Sequence, residues 1–175
     1  MSWVCVGLAT CLLAASRLAA APVPLTNGGF EEETSQEGVP RGWSRNGNEQ
    51  GCRMSLDREV KKEGETSVRL EATKPCEDWL AQPVRVEPGA LYRASVWIRT
   101  EHLVPAPDRP PGAVACTLVA RALNDASGRD FLERGADHTG SADWVDESVD
   151  FIGPESGEAM VWCFLADWRP AAGTV

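Results

Sequence analysis

The chain has 175 residues, room for one domain of ordinary size and not comfortably for two. Its 17 Lys and Arg face 26 Asp and Glu, a net charge of −9, and no basic cluster exceeds Lys61-Lys62, which argues against nucleic acid as a partner. An apolar fraction of 43% beside a charged fraction of 25% excludes wholesale disorder.

Trp3 to Ala15 form an apolar run broken only by Gly7, Thr10 and cysteines, and the small residues Ala19 to Ala21 follow before Pro22. This reads as a secretory signal over residues 1–20, cut near Ala20, with a single domain over residues 21–175. The lack of Lys or Arg at the very start and the late Arg17 depart from the usual pattern. The run is shorter than the roughly 20 apolar residues of a membrane span and no later stretch approaches that length, so no transmembrane anchor is expected. A secreted, periplasmic or cell-surface location follows.

Export makes the cysteines interpretable. Cys5 and Cys11 leave with the signal, and Cys52, Cys76, Cys116 and Cys163 can pair completely. Cys52 and Cys76 are equidistant from Gly64, so a hairpin turning there would set them opposite one another, leaving Cys116 to meet Cys163. In a cytosolic protein the same residues would be buried free thiols. His102 and His138 have no companions at zinc-ligand spacing.

From residue 52 onward, short segments alternate apolar and polar residues and are separated by Gly, Pro, Asn and Asp clusters, the pattern of an antiparallel β-sandwich. Segments 52–59 and 66–74 flank Lys62-Glu63-Gly64-Glu65, and Val68, Leu70 and Ala72 share one side of the second. Asp57 to Glu63 has a helix-compatible spacing, but it is short and Gly64 ends it, so a strand and loop tip are expected. The turn Glu87-Pro88-Gly89 introduces a strand with Tyr92, Ala94, Val96 and Ile98 on one side and Arg93, Ser95, Trp97 and Arg99 on the other. Segments 113–123, 144–152 and 159–168 complete the series, and the Pro-rich stretch from Val104 to Pro111 is a loop.

Several motifs in this order resemble carbohydrate-binding modules of the cellulose- and xylan-binding type, families 4 and 9. They are Asn27-Gly28-Gly29-Phe30-Glu31, Pro40-Arg41-Gly42-Trp43, the stretch from Glu63 to Leu70, Gln82 through Tyr92, Val96-Trp97-Ile98-Arg99, and Trp144 through Phe151. The resemblance implies a galactose-binding-like jelly roll, an all-β antiparallel sandwich serving as a non-catalytic accessory module beside the catalytic domain of a longer polysaccharide-active chain. Members usually finish with Gly-Thr-aromatic-aromatic-Asp-Asp, whereas the sequence here ends Gly173-Thr174-Val175, so a truncated last strand is expected. The resemblance also implies a structural calcium near the N-terminus, for which Glu31 and Glu63 are the matching acids.

A polysaccharide or oligosaccharide site needs flat aromatics to stack on sugar rings and polar side chains to bond hydroxyls. Trp97 lies opposite Tyr92, Val96 and Ile98, beside Arg93 and Arg99; Trp79 alternates away from Leu80 and Val84; Trp162 and Trp168 share a parity opposite to Val161 and Cys163. These four indoles, with Arg93, Arg99 and Gln82, are the candidate sugar contacts, and Arg85, Arg121 and Asn124 are further possible hydroxyl partners. Trp43 and Trp144 read as packing residues. Glu147 shares the parity of Val145, Val149 and Phe151, so a buried carboxylate in need of a partner is expected there. No pair of acids is marked out for glycoside hydrolysis. A structural or protein-binding sandwich at a cell surface, or part of a glycosidase whose catalytic domain lies elsewhere in a longer chain, are the competing readings.

Overall fold

The computed structural model describes residues 21–23, 25–32, 38–47, 51–105, 116–122, 132–164 and 171–174. Eleven strands form it: β1 (Ala21–Pro22), β2 (Ser44–Gly47), β3 (Cys52–Asp57), β4 (Ser67–Cys76), β5 (Asp78–Arg85), β6 (Leu91–Pro105), β7 (Thr117–Ala122), β8 (Leu132–Arg134), β9 (Gly140–Ile152), β10 (Glu158–Phe164) and β11 (Ala171–Thr174). The all-β sandwich is therefore as expected. No helix among the described residues is long and apolar enough to cross a membrane. The stretch Asp57 to Glu63 closes a strand and turns, without helix. Val104 and Pro105, expected in a loop, are instead the end of β6, paired with Ala172 and Ala171; the signal-like residues 1–20 and the rest of the Pro-rich stretch, 106–111, lie outside the described residues.

Two sheets share the strands. One runs β3-β4-β11-β6-β9, with β1 also laid parallel on β6; the other runs β2-β5-β10-β7-β8. Every second side chain of each strand points between them, which is what the alternation demands. Val68, Leu70, Ala72, Tyr92, Ala94, Val96, Ile98, Val149 and Phe151 come from the first sheet; Leu80, Val84, Leu118, Ala120, Ala159 and Val161 come from the second. The interior parts into two clusters. One gathers around Trp43, Met54, Leu80 and Leu103, the other around Tyr92, Leu118, Phe151 and Val161, and partly buried Leu25, Val96 and Cys163 touch both.

Within the second sheet β2 covers β5 only from Asp78 to Ala81, and Pro83 sits just past its end, on the stretch where β5 is an edge and a missing N–H costs no ladder bond. Asp78 is completely buried at this corner. Arg45 donates Nε to its Oδ2 at 2.9 Å and to Oδ1 at 3.2 Å, while its Nη2 also reaches the carbonyl of Cys52 in the other sheet at 3.2 Å. One ion pair thus ties the edge of one sheet to the facing sheet.

Cys52 and Cys76 form the expected disulfide, with Cα atoms 6.1 Å apart. The expected register is wrong: Cys52 stands opposite Ala72, and Asp57 opposite Ser67, so the hairpin does not centre on Gly64. The pairing is unbroken from Cys52 to Asp57 and centres the hairpin on Lys62, and Cys76 reaches Cys52 from beyond Ala72, where β4 carries two more residues than β11 between their shared pairs. Cys116 and Cys163 are free thiols, contrary to the expected second bridge. Cys163 faces Leu118 on β7, so Cys116 lies diagonally displaced by two residues, a separation near 7–8 Å that exceeds disulfide reach. Burial pushes the Cys163 thiol up to about 12, and burial, reinforced by Cys163 and Glu147, pushes Cys116 further up, so both stay protonated.

Two outcomes follow. Arg45→Ala strands the buried Asp78 carboxylate and is expected to lower the unfolding free energy by about 3–5 kcal/mol, read from urea denaturation, whereas Arg45→Met with Asp78→Leu loses much less. Asp57 accepts the amides of Val60 and Glu59 and has Arg69 nearby, contacts that outweigh partial burial and hold its carboxyl below the usual 3.8. The unfolded chain then binds the extra proton first, so this contribution is full above about pH 4 and fades as pH falls below it. Stability measured against pH should show that acid limb weakened in Asp57→Asn.

Candidate functional site

The outer face of the β2-β5-β10-β7-β8 sheet carries an aromatic cluster whose positions follow from register. Asn46, Trp79, Phe164 and Thr117 form one row across four strands; Ser44, Ala81, Trp162, Val119 and Arg134 form the next. Trp79 and Phe164 are a direct cross-strand pair with ring centroids 5.2 Å apart, and Trp162 meets Phe164 edge-on at 5.5 Å. Phe164 is buried beneath this contact, while both indoles keep part of their surface exposed. The guanidinium of Arg121, diagonal to Trp162, lies 5.6 Å from its ring centroid. Between Ser44 and Trp162 the row holds Ala81, which is buried, as are Val119 and Thr117 on β7. Ser44 and Asn46 hydrogen-bond one another at 3.3 Å along the margin of the face. The arrangement offers apolar ring surface flanked by hydroxyl, amide and guanidinium groups.

The sequence candidates divide between two faces. Trp79 and Trp162 share the aromatic face, together with Arg121 and, at its exposed margin, Arg85. Trp97, Arg93 and Arg99 project from the opposite side of the molecule, on the outer face of β6. Trp97 is 40% exposed there, with the Lys62 ammonium 4.4 Å from its ring centroid. Arg93 is engaged by Asp150 through two bonds of 2.6 and 2.7 Å, which raises the arginine and holds the Asp150 carboxyl low, and Arg99 lies 3.9 Å from Asp143. Gln82 is a correction. It is buried, accepts the Thr26 amide at 2.6 Å, and donates to the carbonyls of Thr26 and Gly42, so its amide fastens the N-terminal segment and has nothing left to offer a sugar. Trp168 and Asn124 lie outside the described residues. Phe164, Ser44 and Asn46 were missed, although Phe164 stands two residues after Trp162 and so on the same side.

Trp43 packs as expected, buried against Phe30 with its indole N–H donated to the Asn27 carbonyl. Glu147 is buried, and its partner is His138, whose Nε2 lies 2.7 Å from Oε2 while the Ala136 amide bonds Oε1 at 2.9 Å. Gly135 leaves space for this carboxylate: a Cβ there would stand 2.4 Å from Glu147 Oε1 and push the side chain aside.

Glu31 and Glu63 do not form the expected cation site. The Glu31 carboxylate receives the Glu65 amide at 3.0 and 3.1 Å and the Thr66 hydroxyl at 3.3 Å, and Gly64, with φ of +66°, presses so close that any side chain would strike it. Glu63 is exposed at the tip, and no group of three His, Cys, Asp or Glu suited to a metal gathers among the described residues. Donor hydrogens surround Glu31 where a calcium would need oxygens, so the residues do not fit the ion.

No family model and no curated protein matches the sequence. Solved structures do resemble it. TmCBM61, in complex with β-1,4-galactotriose, is 17% identical with a TM-score of 0.52, over 87% of this chain and 95% of that one. The enzymatically active domain of bacteriophage CBA120 tailspike protein 4 is 14% identical with a TM-score of 0.56, over 87% of this chain but only 20% of that one. The CBM22-1 xylan-binding domain of Paenibacillus barcinonensis Xyn10C is 14% identical with a TM-score of 0.48. At such identities the likeness is one of fold.

If the Glu31 carboxylate serves as a tie between the N-terminal loop and the hairpin tip, Glu31→Gln should cost about 1 kcal/mol in urea denaturation, equally with calcium or with a chelator in the buffer.

Proposed function

We propose that this chain is a non-catalytic carbohydrate-binding module, related to families 4 and 9, that holds a polysaccharide across the outer face of the β2-β5-β10-β7-β8 sheet. The carrying observation is that Trp79 and Trp162 stand on one outward face, neither sealed in the core, with Arg121 beside the second indole. In this reading the rings take the C–H faces of successive sugars, and Arg121, Ser44 and Asn46 bond hydroxyls at the margins. The sandwich shared with TmCBM61 supports it. The signal-like start fits an exported protein, in which the module would act as an accessory that keeps a tethered polysaccharide-active domain at high effective concentration on its polymer.

Affinity electrophoresis through gels cast with xylan, galactan or β-glucan tests this. At least one polymer should retard the protein; Trp162→Ala should weaken retardation about tenfold or more, Trp79→Ala similarly, and Trp97→Ala should leave it unaltered. Retardation by none of the polymers, or retardation lost only in Trp97→Ala, would overturn the assignment.

A further inference from the structure

Asparagine is thermally labile, because the backbone that follows it can attack its side chain. The amide nitrogen of the next residue adds to Cγ, forming an N–Cγ bond; the Cγ–Nδ2 bond breaks and ammonia leaves with the amide proton. Water then opens the cyclic imide to aspartate or to isoaspartate, in which the chain runs through Cγ. The reaction needs neither oxidant nor enzyme. A following glycine favours it, having no Cβ to hold the nitrogen away. Within a folded chain the rate is set by water at the carboxamide, by the bonds that side chain must give up to turn, and by the freedom of the peptide unit beyond it.

Two asparagines precede glycine here, Asn27 before Gly28 and Asn46 before Gly47, and they differ in all three respects. Asn27 is partly buried, and its carboxamide is engaged at both ends. Nδ2 donates to the carbonyls of Glu32 at 2.8 Å and Arg41 at 3.1 Å, while Oδ1 accepts the Glu32 amide at 3.1 Å. The Asn27 carbonyl accepts the Phe30 amide at 3.0 Å and the indole N–H of buried Trp43 at 3.3 Å. That carbonyl shares its peptide unit with the Gly28 nitrogen, so the attacking group is held as well.

Asn46 is the opposite case. It is exposed, in the outward row of Trp79, and its carboxamide bonds only Ser44 Oγ among the described residues, at a long 3.3 Å. β2 is four residues long and lies at the edge of its sheet, with Gly47 its last residue. The end of a short edge strand opens at low cost. Nor is Gly47 replaceable: its φ is +135°, and a Cβ there would stand 2.5 Å from the Glu77 carbonyl oxygen. The fold therefore imposes on Asn46 the neighbour that makes it reactive.

We propose that Asn46 is a site of spontaneous self-modification, converted in the folded protein to aspartate and isoaspartate by attack of the Gly47 nitrogen, while the contacts around Asn27 protect it. The aspartate product sets a carboxylate in the Trp79 row. The isoaspartate product lengthens the β2 backbone just ahead of the pair between Gly47 and Asp78. Both outcomes are independent of what that face binds.

The test is peptide mapping by mass spectrometry of the whole chain held for days in mildly alkaline buffer, folded in one sample and reduced and unfolded in guanidinium in another. Fragment spectra separate Asn46 from Asn48, and an isoaspartyl methyltransferase assay measures the isoaspartate. In the folded protein Asn46 should convert at least about tenfold faster than Asn27, whose extra bonds each slow the attack. In guanidinium, where those bonds are gone, the two rates should agree within about threefold. Equal rates at the two sites in the folded protein, faster conversion at Asn27, or conversion of neither over a period in which both convert when unfolded would overturn the proposal.

Discussion

Every strand of this molecule must bury one side and leave the other outside, because its side chains alternate and only one space lies between the sheets. The core, the tie of Arg45 to Asp78, and the placement of the indoles all descend from that constraint. Asp78 has the parity of Leu80 and so goes inside, where only a guanidinium from the neighbouring strand makes its charge tolerable. Trp79, one residue on, goes outside by the same rule. Glu147 is drawn inward with Val149 and Phe151 and is held by His138.

This is also why much of the fold was legible beforehand. The alternations through Val68, through Tyr92 to Ile98, and through Val149 and Phe151 named the inward residues, and the Cys52–Cys76 pair followed from two strands and a turn. The register was not legible, because a shift of the turn centre by two residues, from Gly64 to Lys62, keeps every side chain on the same face and so leaves no mark in the hydrophobic pattern. Nor could Cys116 and Cys163 be kept apart on parity alone: both point inward on adjacent strands, and a diagonal offset of two residues separates them.

The candidate site was legible in part for the same physical reason. Alternation tells which side of its own strand an indole takes, but not which sheet the strand joins. Trp79, Trp97 and Trp162 all read as outward, and all are; yet β6 belongs to one sheet and β5 and β10 to the other, so Trp97 parts company with Trp79 and Trp162. Gln82 shares the parity of Leu80 and Val84, which already pointed it inward, but polarity argued for the surface; three backbone groups of the N-terminal segment reconcile its amide with burial. His138 was invisible as a partner of Glu147 because the connection between them is tertiary.

The two outer faces thus differ in chemistry although both are built by the same alternation. On one, an indole, Trp97, stands among charged side chains; on the other, two indoles and Phe164 cluster, with the guanidinium of Arg121 beside Trp162 and Arg134 paired with Asp137 at the far end of the row. The claim that the second face grips sugar is tested most directly by following the indole Nε1–H resonances in a 1H–15N spectrum during titration with soluble β-1,4-linked xylo- and galacto-oligosaccharides. The Trp79 and Trp162 signals should shift and saturate together while those of Trp43 and Trp97 hold still; movement confined to Trp97, or no movement of any indole, would contradict the account.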